Sequence, residues 1–197
     1  MKCRIAVLAS GGGTNLEAIL DHFSAIGDAV TGEVVLVGSN RAGAGALDRG
    51  RAAHIESVVF DSTSEDALKR LLTGHRVELV VLAGYLRLIP PGVIAQYRGR
   101  MINVHPGPLP RFGGAGMYGV RVHEAVLAAR MTESAVTIHM VTERYDEGEH
   151  LAVWPVPVHV DDTPATLASR VLAVEHLVLP RIVDAMAATL AASRTTN

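Results

Sequence analysis

The chain has 197 residues, 49% hydrophobic and 19% charged, with a net charge of −2 and a pI near 6.5. That length suits one domain with a sizeable core. The near-neutral balance excludes a protein whose bulk charge recruits nucleic acid or a membrane surface, and the single cysteine, Cys3, excludes an intrachain disulfide framework and fits a reducing, cytoplasmic compartment.

The start, MKCRIAVLASGGG, sets two cations before the apolar run IAVLA, which is too short for the core of a signal peptide. CRIAVLAS, VVLVGSN, SVVF and LVVLAG are short, continuous, β-branched runs, the pattern of strands buried on both faces. Helix-like segments lie between them: TNLEAILDHF, AGAGALDRGRAA and SEDALKRLL. Asn15 or Thr14 is the expected cap of the first and Ser64 of the last. This alternation predicts an α/β fold of right-handed βαβ units, with a mostly parallel sheet and helices on both faces. Arg87 interrupts LVVLAGYLRLI, so no run reaches the ~18 apolar residues of a membrane span.

After MINVH the rhythm changes. AVTIHMV and HLAVWPVPV are two more strands, and TERYDEGE between them has no room for a crossover helix. They are expected to pair antiparallel or to sit in different parts of the sheet. TPATLASRVLAVEHLVLPRIVDAMAATLA reads as a long terminal helix, capped by Asp162 or Thr163 and kinked at Pro180. Residues 193–197 read as a disordered tail, which leaves 1–192 as a single domain.

SGGGTN, residues 10 to 15, joins the first strand to the first helix. Glycines there let backbone N–H groups turn toward a ligand, and the helix start adds partial positive charge, a geometry that suits a phosphate. GxxxxGK[ST] is absent, so it is not a P-loop. As a dinucleotide fingerprint it lacks a third Gly or Ala at Leu16, and Asn40 and Arg41 stand where NAD binding wants an acid. Arg41 could accept a 2′-phosphate, which keeps an NADP reading open. A tight turn that binds nothing is the plainer alternative.

In MINVHPGPLPRF, Asn103 and His105 project to the same side about 6.6 Å apart, at ~3.3 Å per residue. Pro106 and the prolines after it end the strand, placing the pair at the carboxyl edge where open α/β sheets bind ligands. An amide donor beside an imidazole can stabilise an oxyanion and handle a proton. Read alone, a strand-end Asn and His bonded to loop backbone accounts for the pair equally well. Asp146, in RYDEGE, is the natural carboxylate partner, expected to keep His105 charged, or else a turn residue before Gly148. No GxSxG occurs, and the nine histidines show no metal-ligand spacing, so no metal is expected. What remains is acid–base and electrostatic help for direct attack of one substrate on another.

SGGGTNLEAI, VVLAGYLRLI, MINVHPGPLPRF, GMYG, VTIHMV and YDEGEHL, in this order and spacing, resemble the phosphoribosylglycinamide formyltransferase family of purine biosynthesis. The resemblance covers essentially the whole chain and looks like the branch with a GMYG insert. It implies a Rossmann-like formyltransferase domain, with antiparallel strands in its C-terminal half. The reaction implied is transfer of a formyl group from 10-formyltetrahydrofolate, the co-substrate, to the amine of phosphoribosylglycinamide. Carried over, Gly13, Thr14 and Asn15 would hold the substrate phosphate, and Glu175 its ribose hydroxyls. Leu86, Arg87, Leu88 and Ile89 would frame the pterin together with Asn103. Asn103, His105 and Asp146 would be the catalytic trio, with Asn103 and a protonated His105 donating to the oxyanion. Leu109–Pro110 matches a cis peptide bond in relatives. Partners are small molecules, and the assembly a monomer or homodimer.

Some positions depart from the family. Thr63 stands where some relatives carry an arginine at the folate tail, and Arg130 and Ala135 occupy positions that are often glycine. His123 and His139 each read as either site or core, and the three glycines near GMYG suit a lid. Methionyl-tRNA formyltransferase and formyltetrahydrofolate deformylase share the Asn–His–Asp core. They usually carry a further C-terminal or N-terminal domain, and this chain is expected to have neither. A non-catalytic folate- or nucleotide-binding protein would not need the trio.

Overall fold

The computed structural model describes residues 1–194. In it the first apolar run, β1 (Cys3–Leu8), lies inside the sheet and is covered on both faces. Successive strand side chains alternate, so Ile5 and Val7 enter one core layer while Ala6 and Leu8 enter the other. All four are fully buried. A run with no polar position is what two-sided burial demands, and each buried Ile or Leu contributes about 1.5–3 kcal/mol.

The remaining strands are β2 (Gly32–Ser39), β3 (Glu56–Val59), β4 (Leu79–Leu82), β5 (Met101–His105), β6 (Glu133–Met140) and β7 (His150–Pro157). Among the described residues these seven form one sheet in the order β3-β2-β1-β4-β5-β6-β7. The pairs from β3 through β5 are parallel, and β5–β6 and β6–β7 are antiparallel. The expected antiparallel pair is therefore present. Pro155 and Pro157 are tolerated because β7 is the edge, where a missing N–H breaks no ladder.

Helices α1 (Thr14–Ile26), α2 (Gly45–Ala52), α3 (Glu65–Gly74), α4 (Pro91–Gln96), α5 (Val120–Ala128) and α6 (Pro164–Ser193) cover the sheet. Leu16 and Ile19 of α1 join Val171, Leu179 and Val183 of α6 in one layer, and Leu68 and Leu72 of α3 join Val93 and Ile94 of α4 in the other. Caps were partly legible. Ser64 accepts from Ala67 N–H at 3.2 Å, and Thr163 forms a reciprocal capping box with Thr166.

Three expectations need correction. Neither Asn15 nor Thr14 caps α1, because Gly13 takes the N-cap with a φ of 79° and Asn15 turns its side chain elsewhere. Pro180 lies buried inside α6 without ending it. Of the expected tail, Ser193 belongs to α6 and Arg194 pairs with Glu78 at 3.2 Å; residues 195–197 lie outside the described residues.

The strand order reverses between β1 and β4, and such a switch point opens a crevice at the carboxyl ends of the parallel strands. The loops after β1, β4 and β5 all meet there.

Candidate active site

Asn103 and His105 close β5, and the antiparallel register sets His139 of β6 directly opposite Asn103. Directly opposed residues share a face, so one strand end presents Asn103, His105 and His139 together. The chain after β5 folds over them. His105 Nε2 donates to the Phe112 carbonyl at 2.8 Å, and Thr137 Oγ1 donates to the Gly107 carbonyl at 2.8 Å. The Leu109–Pro110 bond is cis, as the resemblance implies.

Asp146 completes the cluster from the loop between β6 and β7. Its Oδ2 accepts the Gly114 N–H at 2.9 Å and lies 3.5 Å from His105 Nδ1. Its Oδ1 lies 3.4 Å from His139 Nε2 and 3.5 Å from Asn103 Nδ2. Asp146 holds a positive φ of 58°, a conformation costly for most residues and concentrated at functional sites. Gly148 makes the loop's approach possible, since a Cβ there would stand 1.6 Å from the Met140 carbonyl oxygen.

Burial opposes the charge of Asp146. The hydrogen bond with His139, the nearby His105 and the Gly114 N–H outweigh it and hold the carboxyl below the usual range. His105 goes the other way from expectation. Only 3% of it is exposed, and desolvation depresses its pKa more than the Asp146 carboxylate and the Phe112 carbonyl raise it. The resting imidazole is thus neutral at physiological pH, and the expected permanent charge is corrected to one that must be created during reaction.

A cleft of about 470 Å³ opens over this cluster. Leu86, Arg87, Leu88 and Ile89, just after β4, line it, with Leu86 and Leu88 well exposed and Ile89 buried. Asn15 and Glu175 line the same cleft, joined by a 2.6 Å bond from Asn15 Nδ2 to Glu175 Oε2. Burial pushes the Glu175 carboxyl up to about 7, against the pull of the Asn15 bond. Asn15 Oδ1 is buried without a partner.

Two predicted residues do not line the cleft. Gly13 packs its α-carbon side against α2, where a Cβ would come within 2.5 Å of Ala46 Cα. Thr14 opens instead into a separate cavity of about 320 Å³ beside Glu17, Asp21, His22 and His176. They stand beside the first-turn N–H groups of α1, which have no intrahelical acceptor.

Sequence reasoning missed a bracing network. Ser10 Oγ donates to Asn40 Oδ1 at 2.7 Å and accepts the Leu86 N–H at 3.0 Å, tying the loops after β1, β2 and β4 together. It also left His139 and His123 undecided. Both are buried and line the cleft, and His139 belongs to the catalytic cluster. The i, i+2 spacing of Asn103 and His105 was the local signal; His139 becomes visible only through strand register. Among the described residues no group of three or more His, Cys, Asp or Glu side chains could hold a metal, and no helix is long and apolar enough to cross a membrane.

Residues 3–183 match the formyl transferase family. The chain belongs to that family. This formyl transferase is 40% identical over 191 residues to the chloroplastic phosphoribosylglycinamide formyltransferase of Arabidopsis thaliana, covering 93% of this chain and 65% of that protein. The chain thus spans about two thirds of that relative's length. The solved phosphoribosylglycinamide formyltransferase of Brucella melitensis superposes with a TM-score of 0.85 at 38% identity, covering 95% of this chain and 97% of that one. A formyltetrahydrofolate deformylase of Pseudomonas syringae shares the fold alone. Its TM-score is 0.81 at 23% identity, over 93% of this chain and 61% of that one.

Proposed function

We propose that this protein transfers the formyl group of 10-formyltetrahydrofolate to the amine of phosphoribosylglycinamide. One observation carries the reading: a single cleft holds Asn15 and Glu175, the apolar stretch Leu86–Ile89, and Asn103, His105 and Asp146. A polar region suits a ribonucleotide and an apolar wall suits a flat pterin, while the trio stands in the same cleft. Glu175 meets the ribose hydroxyls, the N–H groups at Gly13 and Thr14 hold the phosphate, and Leu86 to Ile89 frame the pterin. The relatives of Arabidopsis and Brucella carry this activity in their names.

The chemistry follows from the cluster. The neutral glycinamide nitrogen attacks the formyl carbon, and negative charge develops on the formyl oxygen. His105 stabilises that oxygen, its growing positive charge supported by Asp146 at 3.5 Å. A new C–N bond forms to the glycinamide, the bond from carbon to folate N10 breaks, and the proton leaving the amine passes through Asp146 to N10. No covalent enzyme intermediate is needed. We take residues 1–192 as the formyltransferase domain and small molecules as its partners, acting as monomer or homodimer. The unpaired, buried Cys3 fits a reducing compartment, and we assign the reaction to the cytoplasm.

The test is a spectrophotometric assay with 10-formyl-5,8-dideazafolate, with and without phosphoribosylglycinamide. Deformylation only when the ribonucleotide is present supports transfer. Deformylation without it makes the protein a hydrolase, and no deformylation in either case refutes both readings.

A further inference from the structure

We infer that His139 is a positioning residue that turns the carbonyl oxygen of Asn103, and not its amide N–H, toward the cleft. The orientation stands on hydrogen-bond geometry, and its chemical meaning rests on the formyl-transfer reading. The sequence had suggested the opposite, an Asn103 that donates to an oxyanion.

The argument begins at the backbone. His139 Nδ1 lies 2.8 Å from the Met140 carbonyl oxygen. A carbonyl can only accept, so Nδ1 carries the ring proton. In the neutral ring Nε2 is then a bare lone pair, and His139 is only 2% exposed, so water does not readily supply a donor. Asn103 Nδ2, 3.0 Å away, supplies one. Its second hydrogen is directed at Asp146 Oδ1, 3.5 Å away.

Both hydrogens of the amide are thereby held by the protein. Oδ1 receives no hydrogen bond from the protein, and Asn103 lines the cleft. The flipped amide would set Oδ1 against the Nε2 lone pair at 3.0 Å and against a carboxylate oxygen, exchanging two attractions for two repulsions. The Met140 carbonyl that starts this chain of bonds is also the atom that Gly148 approaches so closely.

An acceptor aimed into the cleft suits an incoming amine. Asn103 Oδ1 takes one N–H of the nucleophile and leaves the nitrogen lone pair directed at the formyl carbon. Stabilisation of the oxyanion then falls to His105.

The test has two arms. ¹⁵N NMR of the unliganded protein at pH 8 reads the His139 tautomer directly, and a pyrrole-like Nδ1 with a pyridine-like Nε2 is expected. Kinetics supplies the second arm. His139→Leu removes the acceptor at similar volume and should lower kcat by about a hundredfold, with the folate KM within about threefold. His139→Gln restores an acceptor oxygen and should recover kcat to within about tenfold of wild type. Thermal melts of both variants show that each is folded. A protonated Nε2 at pH 8, or a Gln variant no better than Leu, overturns the inference. A wild-type protein inactive in transfer would instead sink the functional reading, and the NMR arm would still decide the orientation of Asn103.

Discussion

Glu175→Gln is the substitution whose consequence can be worked furthest from the structure. Glu175 sits on α6 with 6% of its surface exposed and one hydrogen bond, from Asn15 at 2.6 Å. Burial raises its carboxyl from 4.5 to about 7 in the folded protein. Between those values the native state binds the proton and the unfolded chain releases it, so stability falls as pH rises through the window. At 1.36 kcal/mol per pKa unit the loss amounts to about 3 kcal/mol by pH 8. Below about pH 4.5 the carboxyl is protonated in both states and contributes no slope. Glutamine keeps an oxygen for Asn15 Nδ2 and carries no charge at any pH. Its NH₂ can also serve Asn15 Oδ1, which is buried without a donor. The variant should match wild type near pH 4.5 and exceed it by about 3 kcal/mol at pH 8, or roughly 6–12 °C in Tm for a chain of this size. Urea unfolding at several pH values between 4.5 and 8 measures this. Circular dichroism is the better probe, because Trp154 is 56% exposed and reports little of the core. Subtracting the two curves removes the other titrating groups. Parallel curves across the range would mean that water reaches Glu175 and that its burial does not oppose ionisation.

Three further outcomes follow from the same geometry. His105→Ala should lower kcat by about a hundredfold in the transfer assay while the protein stays folded; a variant with near-normal kcat would remove His105 from the mechanism. Asp146 lies below the ordinary carboxylate range, so its share of stability is complete above about pH 4 and is lost as pH falls through its depressed folded value. Asp146→Asn should lose less stability on acidification than wild type, and identical acid transitions by circular dichroism would contradict the ionised, hydrogen-bonded carboxylate. Gly148→Ala forces a methyl into the space of the Met140 carbonyl. It should cost about 1–3 kcal/mol in urea unfolding and also reduce kcat, and wild-type stability would show that the close approach does not exist.

Several features were settled by residues near one another in the chain. The unbroken apolar runs of β1 and β4 required cover on both faces, and Ser64 and Thr163 marked helix starts through bonds only three residues long. Asn103 and His105 shared a face because a strand repeats every two residues, and the prolines after them ended it. The family resemblance extended this local reading to the fold and the reaction class. Other features came from parts of the chain far apart. Asn15 was expected at an open helix start, yet its side chain turns to Glu175, 160 residues away. His139 became part of the site because β6 pairs with β5 in one register; a slip of one residue would send its ring to the other face. The Ser10–Asn40–Leu86 brace joins three separate loops. His105 is neutral at rest because the chain around Phe112 buries it, a term that no local sequence pattern contains. Period and capping act over a few residues and can be read along the chain. Register, burial and charge state depend on what the folded chain brings together, so only the tertiary structure decided them.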